Sequence, residues 1–327
     1  MTTLDIPQSW EHSAEVIRTS RWRTILVLGG ADRGKSTYCV FLARRLGTAR
    51  HRVALVDADV GQKDIGPPTT ITLGYFTASR AQAPVRPSAY YFVGSTTPSG
   101  HLVPMVVGAK RMLDAAQADS VLVNTTGFIH GVGRVLKTHK IEALRPDVIV
   151  AIQAGDELES ILRAHRNQHI IRIALSSLAV RKSADERRRN REEAFGRYFR
   201  QATQVSLPLA KVIFQRSLLL TSEAIPDASS IYTERTPEGV IAVSDDRPRT
   251  SVLKVLPPGF ERHLLCGVAD QHDEGLGLAT IQRIDFKRGT ICLITPVPRS
   301  RIAILQLGDM YVTSEGEELA GESPLRV

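Results

Sequence analysis

Cysteine is scarce in this 327-residue sequence, which contains only Cys39, Cys266 and Cys292. The three are far apart, and the sequence has no CxxC pair or Cys/His cluster. This pattern argues against a disulfide framework and a structural zinc site, and it predicts a reducing compartment, the cytoplasm. Since Cys39 lies inside a predicted helix, we expect it to pack in the core.

Long apolar runs are missing as well. No run approaches the roughly 18–20 residues that span a bilayer, so we expect no membrane association. The stretch MTTLDIPQSWEH contains acidic residues and has no apolar signal core, which argues against secretion. Hydrophobic residues still make up 43% of the chain, and at this length we expect two domains rather than one.

Acidic residues are fewer than basic ones, 34 against 42, which leaves a formal net charge of +8. An excess of positive charge favours polyanionic partners, because neutralising their phosphates releases counterions. Many basic proteins bind no nucleic acid, so the distribution of the charge is more informative than its sum.

Strand-like apolar runs alternate with amphipathic segments in the first part of the chain. The runs are TILVLG, RVALVDA, AYYFVG, SVLVNTT, DVIVAI and HIIRIAL. This alternation predicts an α/β domain over residues 23–202 with a mainly parallel, doubly wound sheet. Such sheets bind ligands at the carboxyl ends of their strands. Residues 1–22 are predicted to form a short lead-in arm.

From residue 203 onward, short β-like runs are separated by Gly, Pro and Asp turns, with little helical periodicity. They include GVIAVS, RHLLCGVAD, GLGLATIQRIDF, TICLITPV and RIAILQLGDMYVT. We therefore predict a smaller, C-terminal β-rich domain over residues 203–327. Within it we expect a polar loop at 244–251 and a frayed tail at 313–327.

A phosphate-binding loop is indicated by TILVLGGADRGKSTYCVFLARRLG, Thr24 to Gly47. The spacing fits G-x-x-x-x-G-K-[ST] between a strand and a helix. Backbone N–H groups of such a loop surround phosphates, Lys35 can reach the β- and γ-phosphates, and Ser36 can bind Mg²⁺. A plain glycine turn would leave the Lys–Ser pair unexplained. We therefore predict a nucleoside triphosphate site formed by Gly29, Gly30, Ala31, Asp32, Arg33, Gly34, Lys35, Ser36 and Thr37.

Two carboxylates end the next strand-like run, in RVALVDADVGQKDIGPPTT. Asp57 and Asp59 are two residues apart, so on a strand both face the same side and both can point to the phosphate site. Phosphoryl transfer needs an oriented oxygen nucleophile and a metal that neutralises developing charge. One acid could accept the proton of an attacking hydroxyl and the other could hold the metal. The competing interpretation is that both acids cap turns in solvent.

A later strand ends where many nucleotide hydrolases carry D-x-x-G, whose Asp serves the metal. In SVLVNTTGFIHGVG that position is Asn124, with Gly127 following. Because an amide carries no charge, we expect the acid to come from Asp57 or Asp59. The sequence also lacks N-K-x-D and T-K-x-D, so a GTPase switch is disfavoured and adenine is the expected base.

The stretch RKSADERRRNREEAFGRYFRQA, residues 181–202, is a helix-like segment rich in arginine. Arg187 and Arg191 are four residues apart and share a helical face. A solvated surface helix with Glu–Arg pairs is the alternative interpretation. Three consecutive arginines exceed what solubility needs, however, and guanidinium groups match phosphate oxygens. We therefore predict a lid that stabilises transition-state charge.

Five stretches occur in an order that resembles the polynucleotide 5′-hydroxyl kinase family: GGADRGKST, VDADVGQKDIGPP, YYFVGSTTP, VNTTGFIHGVG and RKSADERRRNREEAFGRYF. The resemblance covers nearly the whole chain and is to the short prokaryotic form, archaeal or bacterial. Relatives include the RNA kinase subunit of the eukaryotic pre-mRNA cleavage and tRNA-splicing machinery and the nucleolar pre-rRNA-processing kinase. The resemblance implies a P-loop kinase that uses ATP and Mg²⁺ to phosphorylate the 5′-OH end of RNA. Whether it also phosphorylates DNA is left open.

The resemblance also implies roles for single positions. Asp59 would activate the 5′-hydroxyl, and the other catalytic residues would be Lys35, Arg187 and Arg191. Contacts with ATP and its metal would come from the phosphate loop together with Ser36, Asp57, Gln62, Lys182 and Arg188.

Substrate contacts are implied for a clasp at residues 95–101 and for the loop that follows Asn124. The residues are Thr96, Thr97, His101, Thr126 and Phe128. Phe128 matches a position that is often tryptophan in the family and stacks on a nucleobase, and a smaller ring should still stack.

Three positions depart from the family pattern. Arg33 replaces a smaller residue, and it either clashes or adds a phosphate contact. His101 stands where asparagine is common, and Lys182 stands where arginine is common; lysine acts as a point charge without a bidentate fork.

Two other functions stay open at this point: an ATP-bound, catalytically silent assembly subunit of an RNA-processing complex, and a small-molecule P-loop kinase or ATPase. The affinity of the protein for a polyanionic substrate would fall steeply as the salt concentration rises, whereas its affinity for a metabolite would not. The residues do not decide protein partners, oligomeric state, strandedness of the substrate or the task of the β-rich domain.

Overall fold

The computed structural model describes residues 5–48, 50–76, 86–228, 230–245 and 253–321. The chain divides into two compact units, Met1–Arg191 and Glu192–Val327. Most of the loop predicted at 244–251 and the end of the predicted tail, residues 322–327, lie outside the described residues. No helix in the described ranges is both long and apolar enough to cross a membrane.

The first unit contains one mainly parallel sheet. Its strands are β1 (Thr24–Gly29), β2 (Val53–Ala58), β3 (Thr70–Tyr75), β4 (Arg86–Phe92), β5 (Ser120–Thr125), β6 (Val148–Ile152) and β7 (His169–Ile173). Within this unit the order is β4-β3-β2-β5-β1-β6-β7. The strands from β2 to β7 along this order are parallel, whereas β3 is antiparallel to both β2 and β4. The predicted α/β class and mainly parallel sheet are confirmed.

Strand β3 was not predicted from the sequence, because TITLGY lacks a continuous apolar run. Its polar side chains are nevertheless buried. The Thr70 hydroxyl donates to the Pro67 carbonyl at 2.7 Å and lies 3.0 Å from the Thr72 hydroxyl. Paired hydroxyls satisfy each other's hydrogen-bonding capacity, so threonine can occupy a buried strand.

Helices cover both faces of this sheet. They are α1 (Gln8–Ser20), α2 (Lys35–Leu46), α3 (Leu102–Ala115), α4 (Val132–Leu144) and α5 (Glu159–Leu162), with a 3₁₀ turn at Arg163–His165. A further helix, α6 (Ala184–Phe199), follows β7. Alternation along β1 separates two cores: Ile25 and Val27 belong to the core with α1 and α2, and Leu26 and Leu28 to the core with α3 and α4. The sheet is therefore doubly wound, as predicted. The boundary between the units falls inside α6.

The segment predicted as a lead-in arm contains α1, an integral helix of the first unit. Trp10 is fully buried and makes an edge-to-face contact with Tyr38, with ring centroids 5.2 Å apart. The Trp10 indole N–H donates to the Ala174 carbonyl at 2.8 Å. The spacing of Trp10, Ala14 and Ile17 (i, i+4, i+7) is typical of an amphipathic helix and was the available sequence signal.

The second unit is rich in β-strands, as predicted. The strands are β8 (Thr203–Pro208), β9 (Ile213–Gln215), β10 (Glu223–Ala224), β11 (Tyr232–Thr236), β12 (Gly239–Val243), β13 (Lys254–Leu256), β14 (Leu264–Ala269), β15 (Gly275–Asp285), β16 (Thr290–Thr295), β17 (Ile304–Val312) and β18 (Glu318–Leu319). Antiparallel neighbours follow the order β18-β17-β14-β15-β16-β8, and β9 pairs with β17 in parallel. Strands β10 to β13 form a separate sheet. One apolar cluster, residues 205–307, makes up its core.

Candidate active site

The loop that joins β1 to α2, residues 29–36 and named the P-loop here, is folded tightly against the end of the sheet. A Cβ on Gly29 would lie 3.0 Å from the Ile152 carbonyl oxygen, so the backbone approaches β6 closely. Gly34 has a φ of 79°, a left-handed conformation that glycine adopts without strain. The loop leads directly into the N-terminus of α2, where unpaired N–H groups and the helix dipole favour anions. Ala31 and Thr37 are exposed at this surface.

Lys35 begins α2 and is buried, with 7% of its surface exposed. Its Nζ donates to the Gly30 carbonyl oxygen at 2.7 Å, within the same loop. Burial lowers the pKa of the Lys35 ammonium, and the negative charge of Asp59 opposes that shift. The predicted phosphate-binding lysine therefore lies under the loop and in the electrostatic field of the predicted base.

Asp57 ends β2 and is completely buried. Its Oδ2 accepts hydrogen bonds from Asp64 N at 2.9 Å and Ile65 N at 3.3 Å. Lys63 Nζ lies 3.2 Å from the same oxygen, and both side chains of this pair are fully buried. Oδ1 accepts from Asp59 N at 3.2 Å. The oxygens of Asp57 therefore hold the 57–65 loop together, and its metal role stays a prediction.

Asp59 is half-buried, and its orientation is set by its own loop. Oδ1 accepts hydrogen bonds from Gly61 N and Gln62 N, both at 3.0 Å. A Cβ on Gly61 would lie 2.8 Å from the Thr96 carbonyl oxygen, so this loop packs closely on the predicted clasp. The carboxylate is thus held at the carboxyl end of β2, next to the segment predicted to bind substrate.

The predicted lid contacts the P-loop through Asp32. Arg187 Nη2 donates to Asp32 Oδ2 at 2.5 Å, and the backbone N–H of Lys182 donates to the same oxygen at 3.1 Å. Burial opposes the charge of Asp32, but these hydrogen bonds outweigh it and hold the pKa of the carboxyl below its usual value. The backbone N–H of Lys182 therefore binds the P-loop directly, and the positive charge of its side chain also lowers the pKa of Asp32.

A second contact joins the lid to the loop that carries Asp59. Gln62 Nε2 donates to the Arg187 carbonyl oxygen at 3.1 Å, and Asn190 Nδ2 lies 3.5 Å from Gln62 Oε1. Arg191 is half-buried one helical turn beyond Arg187, whereas Arg188 is exposed. Among the predicted lid residues, Arg187 binds the P-loop through its side chain and Lys182 through its backbone.

Arg33 contacts the segment that follows β6, and the phosphate contact offered as one of its two alternatives stays a prediction. Its Nη2 forms an ion pair with Glu157 Oε1 at 3.3 Å. The Glu157 carboxylate also accepts the backbone N–H groups of Ala154 and Gly155. This unusual P-loop residue thus ties the loop to the segment after β6.

Two loops predicted to bind substrate border the P-loop and the Asp59 loop. In the clasp, residues 95–101, Thr97 is exposed, Thr96 is half-buried and His101 is the N-cap residue of α3. After β5, a Cβ on Gly127 would lie 2.4 Å from the backbone of Ala31. The structure therefore brings the loop after β5 beside the P-loop and the clasp beside the Asp59 loop, although these segments are distant in sequence.

Phe128 and Thr126 differ in their accessibility. The Phe128 ring is half-buried and packs on the core beneath α3 and α4. Thr126 is buried, and its carbonyl and hydroxyl oxygens accept hydrogen bonds from Lys137 Nζ at 2.6 and 3.1 Å. Thr126 therefore supports the loop, and Phe128 is the residue of this pair that a base could reach.

Sequence analysis did not single out Asp64. Asp64 is exposed on one side, and on its other side the carboxylate receives a hydrogen bond from the Ser36 hydroxyl. Crowding by protein atoms and the neighbouring charge of Asp57 raise the pKa of the Asp64 carboxyl. No local pattern marks this residue, because its partner Ser36 lies on a different element.

Asn124 links the Ser36 hydroxyl to the carboxylates of Asp57 and Asp64. Its Nδ2 lies 3.2 Å from Ser36 Oγ, 3.3 Å from Asp57 Oδ1 and 3.4 Å from Asp64 Oδ2. The side chain is 1% exposed, and among the described residues its Oδ1 has no hydrogen-bond partner. The D-x-x-G spacing marks this position in the sequence but does not indicate which groups the side chain contacts.

The donor set beside Ser36 suits Mg²⁺. The Ser36 hydroxyl and the carboxylate of the exposed residue Asp64 are hard oxygen donors, which Mg²⁺ prefers. The described part of the chain contains no cluster of three or more His, Cys, Asp or Glu residues arranged to hold a metal. A metal here would therefore take most of its ligands from phosphates and water, as Mg²⁺ commonly does.

Comparisons with known proteins agree with this architecture. A family model described as the mRNA cleavage and polyadenylation factor CLP1 P-loop matches residues 29–201. The chain is 34% identical to a polyribonucleotide 5′-hydroxyl-kinase of Pyrococcus furiosus, over 97% of this chain and 96% of that one. It is 31% identical to the enzyme of that name from Methanocaldococcus jannaschii, over 97% and 95% of the two chains.

More distant similarity extends to eukaryotic proteins. Identity to the polyribonucleotide 5′-hydroxyl-kinase Clp1 of Xenopus laevis is 27%, over 84% of this chain and 67% of that one. Among solved structures, the complex of wild-type Clp1p with Pcf11p (454–563) has a similar fold, with a TM-score of 0.62. That match covers 92% of this chain and 77% of the other at 14% identity, so it bears on the fold alone.

Proposed function

Since this chain belongs to the CLP1 P-loop family, we propose that it is an ATP-dependent polynucleotide kinase that phosphorylates the 5′-hydroxyl end of RNA. The observation that carries the proposal is the convergence on one P-loop of Lys35, Asp59 and Arg187. The match to the polyribonucleotide 5′-hydroxyl-kinases of Pyrococcus furiosus and Methanocaldococcus jannaschii covers almost the whole length of both proteins. DNA ends are the alternative acceptor.

The chemistry follows from the positions of these groups. Asp59 accepts the proton of the 5′-hydroxyl while the hydroxyl oxygen forms a bond to the γ-phosphorus. At the same time, the bond between the γ-phosphorus and the β–γ bridging oxygen breaks. ADP leaves with the electron pair of that bond. Lys35 and Arg187 supply positive charge to the phosphoryl oxygens, which carry the developing charge in such transfers.

The protein's own hydrogen bonds prepare this arrangement. The N–H groups of Gly61 and Gln62 hold one Asp59 oxygen, which orients the carboxylate before substrate arrives. Mg²⁺ would neutralise charge on the β- and γ-phosphates, and Ser36 is the P-loop residue that would hold it. Phe128 offers a half-exposed ring for stacking on a terminal base. We place the reaction in the cytoplasm, where the three cysteines stay reduced.

Transfer of labelled γ-phosphate from ATP to oligonucleotides tests the proposal. Matched RNA and DNA strands with 5′-OH or 5′-phosphate ends should be compared in the presence of Mg²⁺. We expect label only on 5′-OH ends, with RNA preferred. Lys35→Ala and Asp59→Asn should each reduce transfer by at least 100-fold, a typical loss for a charge-stabilising or proton-accepting group.

Asp114→Asn is the matched control, since Asp114 is an exposed carboxylate on α3 that pairs with Lys110. This variant should retain full activity. Near-normal phosphoryl transfer by Asp59→Asn would show that Asp59 is not the general base. Tight ATP binding without transfer to any oligonucleotide would favour an assembly subunit, and saturation by a nucleoside with little salt dependence would favour a small-molecule kinase.

A further inference from the structure

We propose that Asp64, rather than Asp57, is the carboxylate that holds the Mg²⁺ of the ATP complex together with Ser36. This inference rests on the proposed function, because it requires ATP at the P-loop. In many nucleotide hydrolases the Asp of D-x-x-G serves the metal. Asn124 occupies that position here and is neutral, so the proposal assigns the metal to Asp64.

Accessibility separates the two acids. Asp57 is completely buried, and the buried ammonium of Lys63 lies 3.2 Å from its Oδ2. Its two oxygens also accept the backbone N–H groups of Asp59, Asp64 and Ile65. A metal would have to break a buried ion pair and several hydrogen bonds to reach it, which leaves a buried charge unpaired. Asp64, in contrast, is exposed on one side.

The hydrogen bond from Ser36 to Asp64 has the polarity that metal binding needs. A hydroxyl that binds a metal uses an oxygen lone pair for the metal and keeps its hydrogen for an acceptor. In this structure the Ser36 hydroxyl already gives its hydrogen to the Asp64 carboxylate. The acceptor is thus in place, and the carboxylate adds a negative charge beside the metal position.

Asn124 supplies an independent indication that a ligand belongs here. Its side chain is 1% exposed, and its Nδ2 contacts Ser36 and both carboxylates. Its Oδ1 is buried, with no hydrogen-bond partner in the part of the chain that the structure describes. Buried amide oxygens are rarely left unsatisfied, and a metal-bound water would satisfy this one.

Strand order explains why these groups meet. Asp57 and Asn124 are Cα partners in the parallel pair of β2 and β5, and β5 lies between β2 and β1. The carboxyl ends of the three strands therefore bring Asp57, Asn124 and the P-loop side by side. Asp57 anchors the following loop through its bonds to residues 64 and 65, and this anchoring turns Asp64 toward Ser36.

The test measures metal binding directly. Electron paramagnetic resonance measures the binding of Mn²⁺ to the complex of the protein with a non-hydrolysable ATP analogue. Calorimetry measures the binding of the same analogue in the presence of Mg²⁺ or of EDTA. We expect Asp64→Asn to weaken Mn²⁺ binding and the Mg²⁺-dependent gain in nucleotide affinity by about 10–100-fold. Nucleotide affinity in EDTA should stay within about twofold of wild type.

Two variants complete the design. Asp59→Asn should retain Mn²⁺ binding while losing phosphoryl transfer, and Asp114→Asn should retain both. Thermal unfolding checks that each variant is folded. Wild-type Mn²⁺ affinity in Asp64→Asn would overturn the proposal, as would an equal loss in Asp59→Asn.

The two proposals fail separately. If Mn²⁺ binding depends on Asp64 but no oligonucleotide is phosphorylated, the metal assignment stands and the kinase proposal falls. If wild type phosphorylates RNA and Asp64→Asn binds Mn²⁺ normally, the kinase proposal stands and the metal assignment falls.

Discussion

The Asp32 carboxylate at the tip of the P-loop accepts a hydrogen bond from the Arg187 guanidinium at 2.5 Å. This ion pair links the loop that would receive the phosphates to the helix that would close over them. A phosphate is also an anion that arginine binds in bidentate fashion, so ATP and Asp32 compete for the same guanidinium. The arginine that would stabilise the transition state is therefore already held within reach of the P-loop.

Removal of the charge of Asp32 should loosen the lid. In Asp32→Asn without nucleotide, we expect amide hydrogen exchange in residues 181–191 to rise about two- to fivefold, because a partly exposed ion pair contributes up to about 1 kcal/mol. Glu157→Gln is the control, since Glu157 pairs with the P-loop residue Arg33 and not with the lid. Equal exchange in the two variants would show that the Asp32–Arg187 pair does not hold the lid.

Gly127→Ala should displace the P-loop. The added Cβ would lie 2.4 Å from the Ala31 backbone, and backbone cannot rotate away as a side chain can. We expect a loss of about 1–3 kcal/mol in stability and at least a tenfold loss in ATP affinity, measured by urea unfolding and calorimetry. In Gly155→Ala, where the nearest atom is the flexible Glu157 Oε2 at 3.7 Å, both quantities should stay near wild type. If the two variants bind ATP equally well, the contact between these loops does not shape the nucleotide site.

Lys140→Met should change the pH dependence of stability. Lys140 is fully buried, and its Nζ has no hydrogen-bond partner within the described ranges. Burial lowers the pKa of its ammonium to about 7. In the unfolded chain the pKa is about 10.4, so between these values the unfolded state binds a proton that the folded state lacks. This lysine therefore makes the wild type more stable as pH rises through that window.

Methionine removes the titrating group and fills a similar volume, so we expect Lys140→Met to be more stable than wild type near pH 7. That advantage should shrink by up to about 1.4 kcal/mol per pH unit as pH rises from 7 to 10. Urea unfolding across this range measures the difference, with the exposed Lys110→Met as control. Wild-type and Lys140→Met stabilities that run parallel over the whole range would contradict the assignment.

Trp10→Ala should destabilise the first unit by about 3–5 kcal/mol, the usual cost of deleting a large buried aromatic side chain. Trp10→Phe should cost less, because it keeps most of the packing on Tyr38 and loses the hydrogen bond to the Ala174 carbonyl, worth about 1 kcal/mol. Urea unfolding distinguishes the two. A Trp10→Ala variant as stable as wild type would show that α1 is a dispensable arm.

Local sequence patterns were sufficient for the P-loop, for most strands of the first unit and for the family. The G-x-x-x-x-G-K-S spacing and the flanking apolar runs determine how one continuous segment folds, so they can be read without knowledge of the rest of the chain. The same is true of the arginine-rich helix. The roles assigned to its individual arginines stay predictions, except that the structure brings Arg187 to Asp32.

The tertiary structure alone distinguished Asp57 from Asp64. Both are acids in one short segment, and the sequence favoured Asp57 because it ends a strand beside Asp59. The sheet order β2-β5-β1 places Asn124 between β2 and the P-loop, and the buried Lys63 neutralises Asp57. Residue spacing along the chain does not specify which strands become neighbours or which carboxylate is buried, because both depend on how the whole sheet is assembled and covered.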